Sequence, residues 1–199
     1  MKKINDRIFL GMISGAAGLV ALTLIDVISS KIKISQRSYR TTAAGVWVSS
    51  RRQAEKWPGQ LLGVIMNIGL SMVGGFSVVK MLTKYGRDKL VPKGIFFGVT
   101  FGAVMTAMLS GFANNKVKPK DALSNLSYIV SHAAFGLVSV FTAAKIGDDS
   151  LFDTPPQNDY SKPTEKTTEQ LKGSNGNNIR PVYSDVNPNR EETSVPHQF

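Results

Sequence analysis

Four stretches of this chain are apolar for the thickness of a bilayer, and no other feature constrains its fold as much. A membrane-spanning helix needs about 20 apolar residues at 1.5 Å rise each. Residues 8–28 meet that length, broken only by Asp26, and residues 61–79 meet it with Asn67 as the main polar interruption. Residues 95–112 carry no charge, and residues 126–144 enclose His132. Lys80, Lys93 and Lys145 stand at the ends of these stretches. There a lysine stem lies in hydrocarbon while its amine reaches the headgroups. The expected fold is all-α: a four-helix transmembrane bundle over residues 1–146, with an interfacial amphipathic helix and a disordered polar C-terminal tail.

Composition separates the bundle from the tail. Residues 147–199 hold 10 apolar residues in 53 and six of the nine prolines. Such a segment buries too little apolar surface to offset chain entropy, so disorder is expected from Gly147 onward. The net charge of +10 divides into +14 for residues 1–146 and −4 for the tail. With no cysteine and only two histidines, the chain offers no disulfide, no thiolate site and no His-rich metal centre. Met1-Lys2-Lys3 before an apolar run also begins a secretory signal. The run is too long for one, however, and Ile28-Ser29-Ser30-Lys31 is a poor cleavage site. A retained helix is expected.

The connection between the first two spans is long and basic, with seven Lys/Arg, two Trp and one acid in residues 29–59. On a helical wheel, Tyr39, Ala43, Val46, Trp47, Ala54 and Trp57 share one face, with Arg51, Arg52, Glu55 and Lys56 on the sides and back. Pro58-Gly59 stops the pattern. An interfacial helix over residues 39–57 follows, with Trp47 and Trp57 at headgroup depth and Arg51 and Arg52 toward anionic lipid. Basic residues stand at every membrane boundary instead of forming one stripe. That distribution points to topology and lipid contact, and away from nucleic acid.

Within the spans, small residues recur every four positions. Gly94, Gly98, Gly102, Thr106 and Ser110 form a row in the third, and Gly11 and Gly15 a shorter one in the first. Such rows let helix backbones approach closely, either within one chain or between this chain and a second copy or another membrane protein. The halves also resemble each other. Ile8-Phe9-Leu10-Gly11 aligns with Ile95-Phe96-Phe97-Gly98 at an offset of 87, and Asn67 aligns with His132 at an offset of 65. That is a parallel repeat of two helical hairpins, with a pseudo-twofold axis along the membrane normal. Four alternating crossings place Asp26, Asn67 and His132 in the same membrane third, with Asn67 and His132 roughly 9 Å deep, and the repeat turns those two inward. Polar side chains at that depth either bond between helices or bind a proton or cation.

No paired carboxylates, nucleophile–base grouping, phosphate loop or metal-ligand spacing is present in the sequence, so no catalytic residue, cofactor or metal is expected. Asp26 at the close of the first span, Trp57-Pro58-Gly59-Gln60-Leu61-Leu62-Gly63, Lys93-Gly94-Ile95-Phe96-Phe97-Gly98 and Ser131-His132-Ala133-Ala134-Phe135-Gly136-Leu137-Val138 form a combination over residues 8–146. It resembles a group of small, uncharacterised four-helix integral membrane proteins of spore-forming Firmicutes. The resemblance implies an architecture and carries over no catalytic residues. The expected role is a non-enzymatic interaction or structural protein of the cell membrane. The alternative is a small proton- or cation-coupled transporter or channel. Four crossings put both termini on one side. Nine Lys/Arg on that side against ten on the other leave the orientation to the Met-Lys-Lys start, which favours the cytoplasm.

Overall fold

The computed structural model describes residues 3–118 and 121–152. Among them the helices are α1 (Arg7–Lys31), α2 (Tyr39–Ala44), α3 (Arg51–Glu55), α4 (Trp57–Tyr85), α5 (Leu90–Gly111) and α6 (Ala122–Ile146), followed by a 3-10 turn at Asp149–Leu151. Four of these are long and apolar enough to cross a membrane. Each begins before the apolar stretch that announces it, and all but α5 also run past its end. At 29 residues α4 is about 43 Å long, so its ends emerge from a hydrocarbon layer of about 30 Å.

Local chemistry sets the helix ends. The Asp6 carboxylate accepts from the Phe9 N–H at 2.6 Å and opens α1. Lys33, in the left-handed region at φ 61°, closes the turn after it. Pro58 sits in the first turn of α4, where its missing N–H costs nothing, and Gly86 at φ 75° ends that helix. Asp121 accepts from the Ser124 N–H at 2.8 Å and opens α6. The short α4–α5 turn is closed by Lys93 Nζ, which donates to the Tyr85 and Gly86 carbonyls and to Asp88.

Packing order differs from chain order. α1 lies between α4 and α6, and α5 packs chiefly along α6, so the bundle reads α4, α1, α6, α5. A twofold relation would pair α4 with α5 as α1 pairs with α6, and those two helices do not pack along each other. The pseudo-twofold expectation is therefore corrected. What does repeat is the seam within each helix pair. Gly75 of α4 seats against Gly11 and Gly15 of α1, and Gly136 of α6 seats against Gly94 and Gly98 of α5. At Gly11, Gly15, Gly75, Gly98 and Gly136 a Cβ would collide with facing main chain, and at Gly94 it would press tightly on Leu137. Gly94 follows Gly11 by 83 residues and Gly136 follows Gly75 by 61, each four fewer than the sequence alignment. The register is thus one helical turn away from the expected one. His132 takes the place of Ser71, and Tyr128 the place of Asn67.

The polarity of the bundle is that of a protein in lipid. Phe9, Val20, Leu24, Ile65, Val73, Phe96, Val104, Leu126 and Val130 face outward, while Ser14, Asp26, Asn67, Ser71, Ser131, His132 and Ser139 are buried. An apolar exterior this extensive would be a liability in water.

The two ends of the bundle depart from expectation in opposite ways. The connection from Tyr39 to Trp57 is two short helices, with turns at residues 45–50 between them, and Trp57 begins α4. Gly45 seats against Asn115 and Val117, and Gln53 accepts from the Ser49 N–H and hydroxyl, so the chain turns where a wheel continues it. Tyr39, Ala43 and Ala54 are buried, while Trp47 and Trp57 are 64% and 70% exposed. At the other end, residues 147–152 fold onto the bundle. Ile4 exchanges backbone bonds with Ile146 and Asp148, and Leu151 and Phe152 pack with Leu10, Val78, Val79, Leu82, Val140 and Ala143. Asp149 pairs with Lys3 and with Arg87, whose guanidinium lies over the Phe152 ring. The polar tail expected from Gly147 therefore has an anchored beginning, and residues 153–199 lie outside the described residues.

A candidate polar site between the helices

The site begins with Asp26, one turn from the end of α1 and 4% exposed. Both of its oxygens accept from the Tyr39 N–H, at 2.8 and 3.0 Å. This N–H is the first of α2, and the first-turn N–H groups of a helix have no partner within it. Asp26 therefore ties α2 back against α1, and Arg40 supplies the neighbouring positive charge. The tie drives the Tyr39 ring inward, where it meets Tyr128 edge-on at 5.2 Å and His132 edge-on at 4.8 Å. Burial, with Tyr128 and Asp26 nearby, holds the Tyr39 phenol above its ordinary range, so it remains a protonated donor.

His132 is 2% exposed, and its Nδ1 lies 2.7 Å from the Tyr128 carbonyl one turn earlier. A carbonyl only accepts, so that contact places the ring proton on Nδ1 and leaves Nε2 as the acceptor of the neutral ring. The Tyr128 hydroxyl donates to the Arg37 carbonyl at 2.7 Å and also meets Thr42 Oγ1 at 3.2 Å. Tyr128 thus fastens the start of α2 to α6.

Tyr39, Asn67, Ser71 and His132 line a cavity of about 10 Å³, closed by Leu19, Leu22, Leu70, Phe101, Met105 and Phe135. Residues from α1, α2, α4, α5 and α6 thus meet around it, in the region where α4 and α5 stand apart. The volume admits one water molecule. Among the described residues, Asn67 Oδ1 and Tyr39 Oη are buried without a hydrogen-bond partner. Each such group costs about 1–3 kcal/mol when left unpaired.

Asp26 is not on the wall of this cavity but one shell away, bound to the backbone of Tyr39. Tyr39, Tyr128 and Ser71 join the site without a signal of their own in the sequence. A tyrosine on an amphipathic wheel looks the same whether its face meets lipid or protein. The small-residue rows are occupied within the chain. Gly11 lies against Phe76, Gly15 against Ser71 and Met72, and Gly94, Gly98 and Gly102 against α6 from His132 to Leu137. Thr106 continues the row with its hydroxyl buried and without a partner among the described residues, and Ser110 is half-buried. Trp47, Arg51, Arg52 and Trp57 stand exposed at the α2–α3 end, Arg51 pairing with Glu55 at 2.7 Å. Among the described residues no group of three or more His, Asp or Glu side chains is placed to hold a metal ion.

The fold and the site together define a multi-pass helical membrane protein. Comparison with family models, with curated proteins and with solved structures gave no match.

Proposed function

We propose that this chain is a non-enzymatic interaction or structural protein of the bacterial cell membrane, with both termini in the cytoplasm. The observation that carries the reading is how the polar groups inside the bundle are used. Asp26 bonds the Tyr39 backbone and His132 bonds the Tyr128 carbonyl, so both side chains hold the chain's own elements together. Because the glycine rows are closed within the chain, a second copy or another membrane protein would engage a different surface. The outward face of α5, with Phe96 and Val104, is the least covered by neighbouring helices. Trp47, Arg51, Arg52 and Trp57 contact the headgroups of a bilayer containing anionic lipid.

The cavity favours a second reading, a small proton- or cation-coupled transporter or channel. Asn67 Oδ1 and the acceptor nitrogen of His132 are groups that such a path would use. One experiment separates the two readings. The full chain, Asp26→Asn and His132→Gln are reconstituted in vesicles carrying a pH-sensitive dye, and oligomer size is measured in mild detergent alongside. The structural reading expects no flux above empty vesicles, and folded variants that retain the wild-type oligomer. Flux that the substitutions abolish in a folded protein overturns it.

A further inference from the structure

We propose that the cleft formed by Gln36, Arg37, Asn115, Lys116 and Lys118 binds the phosphate of an anionic lipid headgroup. The cleft has a volume of about 430 Å³, within the range of sites that take small ligands. Among the described residues three cations and two amides line it, and no carboxylate does. The nearest acid in sequence, Asp121, caps α6 and also lies within electrostatic reach of Arg37.

The walls are built. Arg37 Nη1 donates to the Lys118 carbonyl at 3.1 Å, which joins the two connecting segments through one of the five guanidinium N–H groups. The Gln36 N–H donates to Ser124 Oγ at 2.9 Å, and the Arg37 carbonyl accepts from Tyr128. Asn115 Nδ2 donates to the Thr42 and Leu109 carbonyls, and its Oδ1 accepts from the Val117 N–H. The Lys116 N–H donates to the Gly45 carbonyl at 3.0 Å. The cationic side chains therefore project from a backbone held by hydrogen bonds to α2, α5 and α6. A planar guanidinium beside two ammonium groups is suited to a phosphate, which accepts several charge-assisted bonds at once.

Position selects a lipid over a free phosphate. The cleft lies just beyond the ends of α1 and α5 and the start of α6, at the boundary of the apolar region. Ile32, Ile34, Phe112 and Leu123 are close to it in sequence and 45–61% exposed, offering apolar surface to acyl chains below a bound headgroup. This inference rests on the reading of the α2–α3 end as a headgroup contact, and names a site within it.

The test uses the full chain in mild detergent and native mass spectrometry with phosphatidylglycerol, phosphatidylcholine and inorganic phosphate as separate probes. Two double variants remove equal charge from the same end: Lys116→Gln with Lys118→Gln, and Arg51→Gln with Arg52→Gln. All three proteins are first matched for thermal midpoint. Phosphatidylglycerol is expected to be retained over phosphatidylcholine, with retention falling roughly tenfold or more in the Lys116/Lys118 variant and under about threefold in the Arg51/Arg52 variant. Equal losses in the two variants, or no preference between the lipids, overturn the cleft. A loss confined to Arg51/Arg52 overturns the cleft but leaves the broader headgroup contact standing. Retention of inorganic phosphate equal to that of phosphatidylglycerol overturns the lipid as its ligand.

Discussion

The α1–α4 and α5–α6 seams are built on one device and held by unequal surroundings. In each, a single glycine seats between two glycines four apart on the facing helix. α1 is gripped from both sides, since its other face packs on α6, where Gly18 lies against Phe135 and Ser139. α5 packs extensively on α6 alone, touches the other helices through side chains such as Leu109 on Tyr39, and leaves much of its outer face exposed. The polar content also differs. Asp26 ties α2 to the first pair, whereas the corresponding position of the second, 83 residues on, is the buried apolar Leu109. A row of small residues therefore reports how closely two helices pack. It does not report how much else holds them together.

Overfilling the glycine seams gives the largest effects. Gly75→Leu and Gly136→Leu each force a side chain into facing backbone, and each is expected to cost about 3 kcal/mol or more. The outcomes should differ in kind. Gly136→Leu should release α5 alone, seen as new protease cleavage between residues 112 and 118 while the remainder resists. Gly75→Leu should lower the thermal midpoint of the whole bundle. Identical cleavage patterns would break the comparison. Next in size is Gly102→Ala, whose methyl group meets the His132 side chain at its root, at a cost of about 1–3 kcal/mol. The control is Gly69→Ala, which faces open space and is expected to stabilise by about 0.5–1 kcal/mol through lost chain freedom.

Asp26→Ala, which removes the acceptor of the Tyr39 N–H, should cost about 1–2 kcal/mol. Asp26→Asn keeps an acceptor oxygen and should cost less than half of that. A thermal midpoint lowered equally by both would mean that the carboxylate charge, not the cap, holds α2.

The smallest effect concerns the end where the two pairs are joined. Hydrogen bonds from Lys3 and Arg87 hold the Asp149 carboxyl below its ordinary value of 3.8. A depressed folded value means that the folded state binds fewer protons than the unfolded one. The resulting stability is fully present above the unfolded value, about 3.9, and disappears as pH falls through the folded value below it. The thermal midpoint of the wild type should drop relative to Asp149→Asn only below about pH 4. A difference that is constant from pH 7 downward would show that Asp149 acts through packing alone. Because its side chain is 30% exposed, solvent screening keeps the effect small.

Sequence determined the parts governed by local composition and length. Apolar runs the thickness of a bilayer are helices wherever they sit, because hydrocarbon leaves the backbone no other partner. The same solvent requires Asn67 and His132 to have neighbours, which makes both legible as interior candidates. The glycine rows are equally legible as close contacts. What remained for the tertiary structure is the set of choices between locally equivalent alternatives. Gly94, Gly98 and Gly102 repeat every turn, so sliding α6 by four residues keeps a glycine at the seam. Phe76, His132 and Leu137 flank the seated glycines in the register adopted, one turn from the one the aligned letters imply. The wheel over residues 39–57 is satisfied by lipid or by protein. Asp26 and Asn115, 13 and 73 residues from their bonded partners Tyr39 and Thr42, favour protein and break the helix in two. Gly147–Phe152 has the composition of a tail, yet Arg87 and the α1–α4–α6 core offer it a ring contact and an ion pair. The cavity among Tyr39, Asn67, Ser71 and His132 exists only because five helices from distant parts of the chain converge there, and no local pattern of residues encodes that convergence.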